Sequence, residues 1–217
     1  MISACAALGR LWLRKGELAR ATSILERALE LIQTWHVRVL LPMVAEALGL
    51  ARVLAGRVPD GIEMLQNAYQ QHEAMRGSAG LAPRATALGQ AWLETGRADE
   101  ARRLGTLAVE VARKHRERAY EAWAHCLLGE VASLDATTVA EAEAELLTGS
   151  GLANTLGLRP LLARCHFALA RAYAQARRTE TAAEQLGCAA ALFNELGMPV
   201  WVARADAARG FGARPSH

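Results

Sequence analysis

The apolar residues of this chain fall into amphipathic stretches separated by short polar turns. In the first stretch Leu8, Leu11 and Trp12 recur at spacings of three and four residues, which places them on one face of an α-helix. Gly16 follows, and a second apolar stretch begins after it. Since alanine, leucine, arginine and glutamate dominate and β-branched residues are few, the pattern predicts a chain of paired α-helices.

The pattern recurs at a fixed distance. The segment ALGRLWLRKGELARA at 7–21 returns as ALGQAWLETGRADEA at 87–101. Leu-Gly pairs stand at 8–9, 48–49, 88–89 and 128–129, and Leu-Ala at 169–170 continues the series after one inserted residue. A period of this size indicates a solenoid, because each repeat can bury its apolar face only against a neighbouring copy.

Each repeat has the features of a helix-turn-helix unit. Gly16 and Gly96 stand where the first helix should end, because glycine adopts the left-handed conformation at little cost. The second helix of the first repeat carries Ala21, Leu25 and Ala28, whose small and bulky side chains allow close packing. Prolines at 160 and 199 suit the first turn of a helix, whereas those at 42 and 83 predict a late start or a kink.

These residues resemble the tetratricopeptide repeat (TPR) from about Ile2 to Met198, although the period of about forty exceeds that family's usual thirty-four. The resemblance implies an all-α fold, a right-handed α-solenoid of five TPR-like helix-turn-helix pairs in one domain, 1–209. The expected repeats are 2–41, 42–81, 82–121, 122–162 and 163–198, followed by a capping helix at 199–209 and a disordered tail at 210–217. Because the first packing helix starts almost at Met1, we expect a piece of a longer protein or a first repeat covered by another chain.

The composition of the chain indicates its cellular compartment and whether it binds a membrane. The chain has 217 residues, 52% of them hydrophobic, with a formal net charge of +3. No apolar run reaches the roughly 18 residues of a membrane span, and no basic segment opens a signal peptide. Cys5, Cys126, Cys165 and Cys188 are scattered without a CxxC pair, which suits a reducing compartment. The sequence therefore predicts a cytoplasmic protein that binds no membrane.

Chemistry-bearing motifs are sparse. His125 and His166 stand beside Cys126 and Cys165, but adjacent helical residues point about 100° apart and do not readily share a metal. The densest basic segment, ARKHRER at 112–118, lies in a predicted link and lacks interleaved aromatic residues. A solvated turn is favoured there over a phosphate contact, and no nucleic-acid partner is expected. We predict no catalytic residue, no metal, no cofactor and no enzymatic activity.

The resemblance also implies a partner site, because in this family the first helices line a concave groove. Apolar residues in that groove favour a protein or peptide segment as the partner. An alternative interpretation of equal weight is that the superhelix closes on itself and these residues belong to the core. The lysine and asparagine with which some family members bind the acidic C-terminus of chaperones are absent. The expected groove residues are Arg10, Leu13, Arg14, Glu46, Leu50, Leu54, Gln90, Leu93, Glu94, Trp123, Glu130, Arg164, Phe167 and Arg171.

A second resemblance covers 157–207 only. This part is similar to the C-terminal repeat region of bacterial signalling proteins in which an ATPase core is fused to a nucleotide cyclase or a DNA-binding regulator. It implies a regulatory scaffold arm whose partner could be its own upstream domains. No ATPase, cyclase or DNA-reading motif stands in the chain itself. The alternatives are a free-standing adaptor that forms a homodimer, and a small-molecule sensor.

Overall fold

The computed structural model describes residues 1–74 and 79–212, which form α-helices and contain no strand. The helices are α1 Ile2–Lys15, α2 Leu18–Thr34, α3 Leu41–Leu54, α4 Val58–Glu73, α5 Leu81–Glu94, α6 Ala98–His115, α7 Arg118–Ala132, α8 Val139–Thr155, α9 Arg159–Gln175, α10 Thr179–Glu195 and α11 Pro199–Gly212. Short 3₁₀ turns at Arg38–Leu40 and Ala136–Thr138 precede α3 and α8. None of these helices is long and apolar enough to cross a bilayer.

The chain divides into two compact units, Met1–Glu117 and Arg118–His217, called here the N-terminal unit and the C-terminal unit. The N-terminal unit packs three helix pairs, α1/α2, α3/α4 and α5/α6. The C-terminal unit packs α7/α8 and α9/α10, and α11 lies on α10. The all-α class and the helix-turn-helix pairs are therefore confirmed. The single domain and the hand of the superhelix stay predictions.

The recurring Leu-Gly pair has a direct physical reason. A methyl group on Gly9 would lie 2.4 Å from Cγ of Leu25, and one on Gly129 would lie 2.3 Å from Cγ of Leu146. Both leucines are fully buried on the second helix of the pair. Each glycine thus admits the leucine of the following helix, and a side chain there would overlap it.

The helix ends follow the predicted turns in most repeats. Gly16 and Gly96 both have φ 81°, the left-handed conformation that glycine adopts without strain. Arg177 takes the same role in the fifth repeat with φ 58°. The fourth repeat lacks this glycine, and there the Asp135 carboxylate accepts a hydrogen bond from the Thr137 amide at 2.8 Å to start a 3₁₀ turn.

Two segments differ in detail from the expectation, and a third agrees with it. The basic segment 112–118 is not a link, because α6 continues to His115 and α7 begins at Arg118. Its cations thus lie mostly in the last turn of a helix, where they face the negative end of the helix dipole. Helix α11 extends to Gly212, three residues beyond the expected cap, and 213–217 lie outside the described residues. Proline 42 stands in the first turn of α3, so that helix starts late as expected.

The apolar face of α1 is a third difference. Leu8 and Leu11 are 45% and 47% exposed, although their spacing marks them as packing residues. The matching Leu48 of α3 is completely buried against α2. The face of α1 that carries Leu8 and Leu11 therefore points away from the three helix pairs of its own unit.

Candidate partner-binding surface

The first helices of the N-terminal unit carry nine of the expected groove residues. Helix α1 carries Arg10, Leu13 and Arg14; α3 carries Glu46, Leu50 and Leu54; and α5 carries Gln90, Leu93 and Glu94. Helix α3 packs against both α1 and α5, so the three form neighbouring ridges of one surface. We call this surface the inner face of the N-terminal unit.

Glu46 lies at the centre of a charged cluster on the inner face. Its burial raises the pKa of the Glu46 carboxyl above the ordinary value, while the charges of Arg10, Arg84 and Arg14 act in the opposite direction. Three guanidinium groups from α1 and α5 thus act on one carboxylate from α3. When all four groups are ionised, the cluster carries more positive than negative charge.

Arg84 was missed by the sequence analysis. It lies in the first turns of α5, where its Nη1 donates a hydrogen bond to the carbonyl of Gly80. The same register position is occupied by Ala4, Val44 and Ala124 in other repeats. A charged residue at a repeat position that is otherwise apolar was the signal that could have identified it.

The apolar residues of the inner face differ in accessibility. Leu50 is only 8% exposed and therefore belongs to the floor under the charged cluster, where a partner could not reach it without rearrangement. Leu13 and Leu54 are half-buried, and Leu13 also packs against the core between α1, α2 and α3. Leu93 is half-buried near the end of α5, where Glu94 is exposed. Accessible apolar surface is thus limited to the borders of the cluster.

The C-terminal unit places its expected residues differently. Nη2 of Arg164 on α9 donates to both carboxylate oxygens of Glu130 on α7, at 2.7 and 3.0 Å, and both side chains are about 15% exposed. The guanidinium carbon lies 5.2 Å from the ring centroid of Trp123 and 5.2 Å from that of Trp201. Arg164 therefore joins α7, α9 and α11 by an ion pair and two cation–π contacts.

Phe167 is also engaged within the C-terminal unit. Its ring meets Phe193 edge-on at 6.2 Å and Trp201 at 6.1 Å. Trp123 is 8% exposed, while Arg171 is exposed. Of the five residues expected here, four make internal contacts, which agrees with the alternative that the groove residues of this half are core.

In the C-terminal unit, the adjacent residues His125 and Cys126 are held by protein contacts. His125 Nδ1 lies 2.5 Å from Oε2 of Glu145, and its Nε2 lies 3.9 Å from Oε1 of Glu121. Two causes raise the pKa of the Cys126 thiol well above its ordinary value: a hydrogen bond with the Cys165 thiol, which is the larger, and burial. The raised pKa keeps Cys126 in the unreactive thiol form. Within 1–74 and 79–212 no three such side chains are placed to hold one metal ion.

Comparison with known proteins agrees with this architecture. No protein-family model matches the chain, and no curated protein matches it either. Among solved structures, a thermophilic TPR protein of Thermus thermophilus is 19% identical, with a TM-score of 0.67 over 94% of this chain and 98% of that one. A Podosopora anserina putative kinesin light chain with nearly identical TPR-like repeats is 21% identical, with a TM-score of 0.56 over 88% and 94% of the two chains. A variant of the same Podosopora anserina protein is 22% identical, with a TM-score of 0.58 over 88% and 93%. The chain therefore has the fold of TPR-like helical repeat proteins.

Proposed function

We propose that this protein is a non-catalytic interaction module that binds an acidic segment of a partner protein on the inner face of its N-terminal unit. The observation that carries the proposal is that the charges of Arg10, Arg14 and Arg84, from two neighbouring helices, all act on the carboxylate of Glu46. TPR-like folds serve in general as protein-interaction scaffolds.

The chemistry of the cluster selects the partner. Arginine presents a planar fork of donors that matches a carboxylate, and such charge-assisted hydrogen bonds are stronger than neutral ones. The positive charge of three guanidinium groups on one surface also attracts negative charge during association. Half-buried Leu13 and Leu54 lie on α1 and α3, the helices that carry Arg10, Arg14 and Glu46, so the favoured segment combines aspartate or glutamate with an aliphatic residue. An extended peptide can meet charges and apolar border together, which a small anion cannot.

Peptide binding tests the proposal directly. The probe is a fluorescein-labelled peptide of alternating glutamate and leucine, and its control has glutamine in place of glutamate. We expect fluorescence anisotropy to show binding of the acidic peptide only, weakened about tenfold in the Arg10→Ala/Arg14→Ala variant, which corresponds to ~1.4 kcal/mol. Binding should also weaken as salt is added.

The matched control is Arg171→Ala, which removes an exposed arginine from α9 in the other unit. This variant should bind the acidic peptide like the unmodified chain. Equal binding of the glutamine peptide, or equal weakening by Arg171→Ala, would show that the inner face of the N-terminal unit does not select acidic segments.

We further propose that the module is the regulatory arm of a larger bacterial signalling or transcription-regulatory protein of the cytoplasm. The resemblance of 157–207 to such arms supports this placement, and an acidic segment of its own upstream domains would then be a natural partner. A reading frame that continues upstream into an ATPase, cyclase or DNA-binding domain would support it. A stop codon directly before the codon for Met1 would count against it. The small-molecule sensor stays a prediction.

A further inference from the structure

A cavity of about 420 Å³ lies between α3 and α4 in the N-terminal unit. Its volume falls within the range of ~300–1,000 Å³ that small-molecule sites occupy. The cavity lies on a different side of α3 from the inner face, because its lining residue Ala45 adjoins Glu46 and adjacent helical residues point about 100° apart. Its described lining residues include Leu41, Ala45, Arg52, Met64 and Ala68. The N-terminal unit therefore has a second concave site, which the proposed function does not use.

The cavity has an apolar floor and a polar rim. On the floor, Ala45 and Ala68 are 8% and 3% exposed, and their short side chains leave the space open. On the rim, Glu63, Asn67 and Gln71 are exposed and follow one another along α4 at spacings of four residues, which places them on one stripe. A molecule in the cavity therefore meets apolar side chains below it and a carboxylate and two amides along one edge.

The polar lining departs from the pattern of the other repeats. Counted from the small residue at 28, 68, 108, 149 and 189, Gln71 occupies a position that is otherwise apolar: Leu31, Val111, Leu152 and Leu192. Arg52 stands where the first and third repeats have Trp12 and Trp92. The other helix pairs pack with apolar residues at these places, so packing does not require the polar side chains of α3 and α4.

Arg52 brings a buried donor to the lining. Its Nη2 donates a hydrogen bond to Oε1 of Glu26 on α2 at 3.0 Å. Arg57 lies 3.6 Å from the same carboxylate and pairs with Asp60 at 2.8 Å, so the four charges at this end of the cavity balance. The Nε atom of Arg52 is buried and has no acceptor among the described residues. An oxygen atom of a bound molecule would satisfy this donor.

We propose that this cavity binds a small organic amine that carries an apolar group and an oxygen acceptor. Glu63 gives the lining a carboxylate outside the balanced set of charges, and a protonated amine matches it. The side-chain oxygens of Asn67 and Gln71 can accept the remaining N–H bonds of the amine. The apolar group then covers Ala45 and Ala68 and removes their surface from water.

The spacing of the charged groups limits the size of the molecule. Glu63 follows Asp60 by one turn of α4, about 4.5 Å along the helix axis, and Asp60 belongs to the charges at the Arg52 end. An amine and an oxygen on neighbouring carbon atoms, as in an amino alcohol, fit this spacing. Because Glu63 lies on an exposed rim, we expect dissociation constants in the millimolar range.

Nuclear magnetic resonance of the backbone amides tests the site on the whole 217-residue chain. The probes are phenylalaninol and leucinol, which join an amine, a hydroxyl group and an apolar group. Their controls, hydrocinnamyl alcohol and isohexanol, lack only the amine. We expect at least one amine to shift the signals of lining residues on α3 and α4, with the matching alcohol binding about threefold more weakly or less well still.

Variants of the lining place the bound amine. Arg52→Trp introduces the residue of the first and third repeats, fills the cavity and should abolish the shifts, while circular dichroism confirms that the variant is folded. Glu63→Gln should weaken the binding of the amine about threefold and leave that of the alcohol unchanged. The matched control is Glu110→Gln on α6, which removes an exposed glutamate outside the cavity and should change nothing.

Three results would overturn the proposal. They are the absence of shifts from both amines at ~20 mM, equal binding of amine and alcohol, and full binding by the Arg52→Trp variant. The outcome is independent of peptide binding on the inner face, because Arg10, Arg14 and Arg84 are not among the described lining residues of the cavity. The acidic peptide should bind the Arg52→Trp variant as it binds the unmodified chain.

Discussion

The arginines of the first helices have different surroundings in the two units. In the C-terminal unit Arg164 is matched by one carboxylate, Glu130, and lies near two tryptophan rings. In the N-terminal unit three arginines act on the one carboxylate of Glu46. In the same repeat plan a first-helix arginine can thus join the helices of its own unit, as Arg164 does, or act together with other arginines on one carboxylate. We expect the first arrangement to contribute to stability, and the proposed function uses the second for recognition.

The largest expected effect concerns how closely the helices of a pair approach in each unit. A methyl group on Gly61 would lie 2.5 Å from the Gly49 carbonyl oxygen and 2.8 Å from the Val53 amide nitrogen. Because both neighbours are backbone atoms, they cannot rotate away. Gly61→Ala should therefore lower the free energy of unfolding by about 3 kcal/mol, the upper part of the range for overpacked cores. Urea unfolding followed by circular dichroism measures it.

The matched control lies at a helix crossing of the C-terminal unit. A methyl group on Gly149 would lie 3.2 Å from the Ala122 carbonyl oxygen and 3.3 Å from the Cys126 amide nitrogen, distances that a small shift can relieve. Alanine also gains about 1 kcal/mol in helix propensity over glycine. Gly149→Ala should therefore change stability by less than ~1 kcal/mol. Similar costs at the two glycines would contradict a closer helix approach at Gly61 than at Gly149.

A second prediction compares the arginines themselves. Arg164→Ala leaves Glu130 buried without its partner and removes the cation between Trp123 and Trp201, so we expect a loss of about 3 kcal/mol in unfolding free energy. Arg10→Ala removes one of three cations around Glu46 and should cost less than ~1 kcal/mol. Chemical unfolding of both variants measures the difference. Equal losses would refute the assignment of a structural role to one arginine and surface charge to the other.

The repeat architecture could be predicted because its signals are local. The Leu-Gly pair at 8–9 returns at fixed spacing because the same helix crossing recurs, and Gly16, Gly56 and Gly96 mark the same left-handed turn in the first three repeats. A helix-period pattern and a glycine stop together suffice to place a helix pair. Helix boundaries were less certain at 112–118, where a run of basic residues is equally compatible with a link and with a helix end.

The candidate surface was only partly predictable because it depends on side chains from three helices. Glu130 and Arg164 were expected as groove residues, but their mutual ion pair depends on how α7 lies beside α9. The contact of Arg164 with Trp201 depends further on α11, which follows the last complete repeat. Repeat register gives the face on which a residue lies, whereas partners across helices depend on packing geometry that a single sequence does not encode locally.

The smallest expected effect appears only at high pH and involves one tyrosine in each unit. Burial is the larger cause, and a hydrogen bond to Glu73 at 2.8 Å the second, that raises the pKa of Tyr69 to about 12. Burial and a hydrogen bond to Glu143 raise the pKa of Tyr173 to about 12 in the same way. The folded state thus favours the neutral phenol. Its stabilising contribution is complete below pH 10, the ordinary pKa, and is lost as pH rises through about 12.

Phenolate absorbance during an alkaline titration measures the tyrosine pKa values, and one substitution in each unit assigns them to Tyr69 and Tyr173. Glu73→Gln should lower the pKa of Tyr69 alone, and Glu143→Gln that of Tyr173 alone, because each carboxylate acts on one of these two tyrosines and not on the other. Neither should return fully to 10, since burial is the larger cause in both and remains in the variants. A shift of both tyrosines by one substitution would mean that the two units respond to alkali as one, and that their carboxylates do not act locally.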